Sequence, residues 1–245
     1  YLTPGSARVA VLGAPQVFSI MPVVGGAADA APSLLPYVPA PPPQVTLALY
    51  NLANPATPAR LEQLALDGML VASRLIGQRL YLVTQWYPAW PADVSSGDVS
   101  RRQAALDRID TRDLLPKLTV SGGAARPLVE ETDCLVQQNN ASSASEITTI
   151  SVIDLSVGSA SLRSRCFVGG TEAIHLTTDS LYLATTRYPV VTDSRGVVYA
   201  QDIVTDFHKF ALAGDTLDYR ATGSALGHLG WDPEKKSYRM SEHQG

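Results

Sequence analysis

Charge is scarce in this chain. Lys and Arg number 19 against 23 Asp and Glu, so that charged residues make up 17% of 245 and the formal net charge is −4. No run of basic residues exceeds pairs such as Arg101-Arg102 and Lys235-Lys236. The basic stripe that grips a phosphate backbone is therefore missing, and nucleic acid is not an expected partner. Long apolar runs are missing too. No window approaches the roughly 18 uninterrupted apolar residues of a membrane helix, and no basic stretch precedes an apolar run at Tyr1, so no membrane span is expected. There is no Gly-x-x-x-x-Gly-Lys phosphate loop, no Gly-x-Ser-x-Gly elbow, no His-Glu-x-x-His and no Cys-x-x-Cys. No catalytic residue, metal site or cofactor follows from any motif. With two cysteines, Cys134 and Cys166, the chain holds either one disulfide or two buried thiols.

What is present is apolar sequence, at 45% hydrophobic, enough for a large core. It is also repetitive. Leu80-Tyr81-Leu82-Val83-Thr84-Gln85-Trp86-Tyr87-Pro88 returns as Leu181-Tyr182-Leu183-Ala184-Thr185-Thr186-Arg187-Tyr188-Pro189. A second type of segment occurs three times, at 45–52, 148–155 and 205–212, each rich in β-branched or aromatic residues and each followed by a turn. Short strands follow those turns at 61–66, 162–168 and 217–222, and a fourth type is read at 69–76, 173–177 and 237–243. Naming the strands a to d, with 8–12 as the first b, the chain reads b-c-d, a-b-c-d, a-b-c-d and a final a. A recurring four-strand cycle predicts an all-β β-propeller of about three four-stranded antiparallel blades, an incomplete ring. Residues 14–43 form a Pro, Gly and Ala-rich loop. An insertion at 88–127 carries a single short helix over 98–115, stopped by Pro116.

The residues Asp67-Gly68, Ser73-Arg74-Leu75-Ile76-Gly77, Leu115-Pro116, Asp206-Phe207-His208-Lys209-Phe210 and Tyr219-Arg220-Ala221-Thr222-Gly223 resemble a known family. It comprises secreted bacterial and archaeal proteins with a C-terminal β-propeller domain distantly related to WD40 repeats. The resemblance implies a propeller and a secreted or cell-envelope location, and it brings no catalytic residue. The family's propeller is longer than this chain, so the sequence reads as part of one, with blade edges open to association.

In such blades the b-c loops all leave on one face, and here they are the long ones: 14–44, 87–146 and 187–201. Long loops on a rigid scaffold concentrate binding groups. Trp86, Tyr87, Trp90, Tyr188, Asp193 and Arg195 are the candidate ligand-binding residues on that face, suited to a protein, peptide or glycan. The alternative is that these aromatics only pack the loops down. Cys134, in the second b-c loop, and Cys166, near the end of a d strand reaching the same face, could form a disulfide. Asp202, Asp206 and His208, with His228 or His243, offer a ligand mix for a transition metal. Their spacing fixes no third ligand, so the histidine reads as structural. Ser73, Arg74, His175 and Glu242 are expected at the central channel. Asn140-Ala141-Ser142 is a glycosylation sequon, but the Arg-rich, Lys-poor and Ala-rich composition argues against a eukaryotic secretory setting. The expected function is a non-catalytic extracytoplasmic binding scaffold. A propeller hydrolase or lyase completed by further blades and a structural spacer are the alternatives.

Overall fold

A computed structural model describes residues 1–3, 7–14, 42–136, 146–196, 198–200 and 202–243. The predicted loop at 14–43, apart from its ends, and the sequon at Asn140 lie outside the described residues. The first blade consists of β1 (Arg8–Gly13), β2 (Gln44–Asn51) and β3 (Ala59–Asp67), paired antiparallel in that order. The second begins with β4 (Met69–Ile76) and β5 (Arg79–Trp86). An insertion then holds α1 (Val99–Leu106), α2 (Thr111–Leu114), β6 (Lys117–Val120), β7 (Arg126–Pro127) and β8 (Cys134–Val136). The blade is completed by β9 (Ile147–Asp154) and β10 (Arg163–Val168). The third blade is β11 (Ala173–Leu176), β12 (Ser180–Arg187), β15 (Val204–Ala213) and β16 (Thr216–Leu226), with a hairpin of β13 (Val190–Thr192) and β14 (Val198–Ala200) in its b-c loop. A short α3 (Pro233–Lys236) follows. The predicted four-strand cycle is the observed one through the end of β16.

Three expectations need correction. The insertion is read as a face loop, yet β6 and β7 extend the first sheet beyond β3, and β8 runs parallel to β10 on the second. A d strand is the outer edge of its blade, and this excursion pairs part of that edge, Leu64–Leu66 of β3 and Cys166–Val168 of β10. The helix expected over 98–115 is two helices, because Asp110 acts as a second N-cap. Its carboxylate accepts from the Arg112 backbone N–H at 3.0 Å, as Asp98 accepts from that of Arg101 at 3.1 Å. The final a strand expected at 237–243 is absent. Ser237–Arg239 is a 3-10 turn after α3, and Met240 and Leu229 pack on Ala173 and Ala184 instead.

The repeated phrase is a two-faced strand. Leu80 and Leu82 pack toward the first blade with Leu47, Leu49, Leu64 and Leu66, whereas Tyr81 and Val83 turn to the third blade and meet Leu181, Leu183 and Phe210. Both faces of β5 are buried, and this is why its sequence is a continuous apolar run rather than an alternation. In the second copy Leu181 and Leu183 again face the preceding blade, while Tyr182 and Ala184 face the C-terminal segment. Even the tyrosine hydroxyls correspond. That of Tyr81 donates to the Gly214 carbonyl of the next blade at 3.0 Å, and that of Tyr182 to Glu242 at 2.8 Å. Ser180 and Lys209 reach the same carboxylate oxygen at 3.1 and 3.3 Å. Hydrogen bonding, led by Thr177 and then Tyr182, pulls the Glu242 carboxyl down to about 2.

Charged side chains fasten adjacent blades at the short-turn face. Arg8 donates to the Leu155 carbonyl at 3.0 Å, Glu62 accepts from the Ser159 backbone at 2.7 Å, and Arg79 pairs with Asp215 at 2.7 Å. Between the second and third blades lies His208, 3% exposed, against the Phe167 ring at 4.5 Å, its Nδ1 3.1 Å from the Tyr219 hydroxyl. Burial pushes the His208 pKa below 6.5, against the opposing pull of Asp206. A depressed histidine pKa means the unfolded chain takes up the proton first. Its contribution is intact above pH 6.5 and is lost as pH falls below it. The thermal midpoint of H208F should therefore drop less between pH 7 and pH 5 than that of the parent. Equal drops would show that another group sets the acid sensitivity.

Candidate binding face

The second b-c excursion leaves β5 at Trp86, a residue held from two sides. Its indole N–H donates to the Leu114 carbonyl at 2.9 Å, and its ring packs with Leu115, Val129, Ile147 and Cys166. Tyr87, half-exposed, donates its hydroxyl to Glu146 at 3.0 Å. Burial, then the Glu146 charge, raises the Tyr87 pKa. Glu146 itself is 7% exposed and accepts from Gln85 at 2.6 Å and the Thr171 backbone at 3.1 Å. It ties the exit of β5, the return of the insertion and the link between β10 and β11. No sequence motif marks Glu146. The available signal is a lone acid immediately before the strand at 147–154.

Trp90 is placed differently. At 41% exposure it walls a hollow of about 310 Å³ whose other sides include Pro88, Leu114, Leu115, Ile147 and Val168. Among the described residues the only charged group lining it is Glu131, which accepts a hydrogen bond from the Thr111 hydroxyl. Cys134 forms part of the wall, bonded to Cys166 across the directly paired strands β8 and β10 with a Cα separation of 4.3 Å. For a sequence separation of 32, closing that loop contributes roughly 3–4 kcal/mol in the chain-entropy account.

The remaining predicted residues lie in the third b-c excursion. Tyr188 is half-exposed where the chain leaves β12, and Asp193 and Arg195 pair with one another at 3.1 Å in the turn between β13 and β14. None of the three lines the hollow. Of the six, only Trp90 does. The position of Arg187 corresponds to that of Trp86, and it too fastens the strand exit, through two bonds to Asp206.

The metal-ligand candidates are dispersed among other contacts. Asp206 takes Arg187 and the Ser224 hydroxyl, the latter at 2.6 Å. His208 faces Phe167 and Tyr219, and His228 accepts from the Gly230 backbone at 2.9 Å. Among the described residues no cluster of three or more His, Cys, Asp or Glu is arranged to hold a metal. Of the expected channel residues, Ser73 bonds the Tyr1 hydroxyl at 2.6 Å and Arg74 donates to the Leu176 carbonyl. Glu242 instead belongs to the C-terminal segment. Among the described residues no helix is long and apolar enough to cross a membrane.

No curated protein and no solved structure matches the chain. A family model described as "Beta propeller domain" matches residues 19–245, nearly the whole length. The three successive antiparallel blades, packed face to face through shared apolar layers, agree with that match. The chain belongs to the beta propeller domain family.

Proposed function

We propose that the chain is a non-catalytic, extracytoplasmic binding module that captures a polypeptide by taking one apolar side chain into the hollow beside Trp90. The observation that carries this reading is the hollow itself. It is an apolar concavity at strand ends, walled by a partly exposed tryptophan and bearing, among the described residues, one carboxylate, Glu131. Such a composition fits a side chain anchor followed by a basic or hydrogen-bonding neighbour. A disulfide and the resemblance to exported propeller proteins support the extracytoplasmic location.

Selection from a displayed peptide library tests this. Peptides enriched on the parent should bind W90A at least about tenfold more weakly, with the thermal midpoint unchanged, since a partly exposed ring contributes affinity rather than core packing. W86A serves as the contrast. It removes a largely packed ring and a part-buried hydrogen bond, and should cost about 2–4 kcal/mol of stability. If nothing is enriched, or if W90A binds the enriched peptides as the parent does, the reading fails.

A further inference from the structure

The hollow beside Trp90 changes character with depth. Of its lining residues Pro88, Leu115 and Ile147 are buried and make the floor, whereas Thr111 and Glu131 are exposed and stand at the mouth. Among the described residues Glu131 is the one ionisable side chain in that lining, and its only side-chain partner is the Thr111 hydroxyl. The mouth therefore presents a carboxylate with no cation beside it, above an apolar floor.

That carboxylate is also held in position. Thr111 opens α2 directly behind the Asp110 cap, and Glu131 opens the 3-10 turn Glu131–Asp133, where Glu130 and Asp133 cap each other's backbone N–H groups. The bond between Thr111 and Glu131 thus joins the starts of two short capped elements. Cys134 follows the turn at once and is bonded to Cys166, so the turn is tied to β10.

A bound chain could bring positive charge to this site in two ways, and the change with depth separates them. A Lys or Arg inserting its own side chain would carry its charged end to the floor, where the buried lining offers no acceptor side chain, and an unpaired charge taken out of water is strongly destabilising. An apolar side chain at the floor leaves the base of a neighbouring residue at the mouth, still hydrated and next to the carboxylate. An acidic neighbour would instead meet a like charge.

We propose that Glu131 sets the specificity of this site: the polypeptide taken carries Lys or Arg within two positions of its apolar anchor, and one with Asp or Glu there is rejected. This specificity rests on the reading of the hollow as a polypeptide site, and it fixes the sign of the charge beside the anchor.

A library of random dodecapeptides displayed on phage, selected in parallel on the parent, E131Q, E131K and W90A, tests the assignment. Peptides from the parent should pair an apolar residue with Lys or Arg within two positions. Those from E131Q should keep the apolar residue and lose the base, and those from E131K should carry Asp or Glu in its place. W90A should enrich none of them. A synthetic copy of the peptide most enriched on the parent, acetylated and amidated so that its ends are uncharged, is then compared with the same peptide bearing norleucine for the base. The parent should bind the norleucine peptide about threefold or more weakly at low salt, the size of effect an exposed ion pair gives, and the gap should narrow at high salt. E131Q should bind the two alike. Asp218, an exposed acid on β16 outside the hollow, provides the charge control, and D218N should discriminate as the parent does. Enrichment that depends on Trp90 but shows no charge bias, or a bias that E131Q or E131K retains, overturns the specificity and leaves the hollow as a binding site. No enrichment on the parent overturns both.

Discussion

D206A should be destabilised by about 3–5 kcal/mol. The Asp206 side chain is 2% exposed and sits between two guanidinium contacts from Arg187 and a hydroxyl contact from Ser224. Removing the carboxylate leaves Arg187, about one-third exposed, without its ion pair where β12 leaves the sheet, and breaking a buried pair from one side is costly in this way. Denaturant unfolding at pH 7 reads the effect. An unchanged midpoint would show that the pair contributes nothing to stability.

The second large effect is expected at Gly68, the single residue linking β3 of one blade to β4 of the next. Its φ is +116°, and a Cβ there would lie 2.8 Å from the backbone oxygen of Gln85. Gln85 belongs to the paired strand β5, so the obstruction cannot swing aside as a flexible side chain would. The neighbouring Asp67 is also committed. It accepts from Gln44 at 2.8 Å and from the Lys117 backbone at 3.0 Å, which anchors the insertion where β6 begins. G68A combines a backbone conformation unfavourable to L residues with an overpacked contact, and should cost about 3–5 kcal/mol. For a chain of this size that corresponds to a fall of roughly 10 °C in thermal midpoint. A fall under about 2 °C would show that the blade link can shift without cost.

The legible parts of the fold were those where local pattern and tertiary role coincide. Leu80 to Val83 could be read as a strand because both of its faces are buried between blades, and its copy at Leu181 to Ala184 fixed the period. The turns after β9 and β15 were marked by Gly158 and Gly214, both at positive φ, which few other residues adopt. The candidate site was less legible. Trp86, Tyr87 and Trp90 have similar chemistry and lie within five positions, yet one packs the insertion, one bonds a buried glutamate and one walls a hollow. Glu146, about which that end of the second blade is organised, was invisible, because it unites residues from distant segments.

By itself, the sequence determined the all-β class, the four-strand repeat and the long-loop face, because each depends on periodicity or on the order of strands along the chain, while it left open whether Cys134 and Cys166 are bonded. Only the tertiary structure decided where the insertion goes. Its strands join the outer edges of two blades, since unpaired backbone groups must be satisfied and the sequence does not say by which segment. It also decided that Asp206 serves an arginine and that the C-terminal segment is pinned through the Glu242 carboxylate rather than added as a strand. Those outcomes depend on which side chains converge across blades, and convergence leaves no period in a linear sequence.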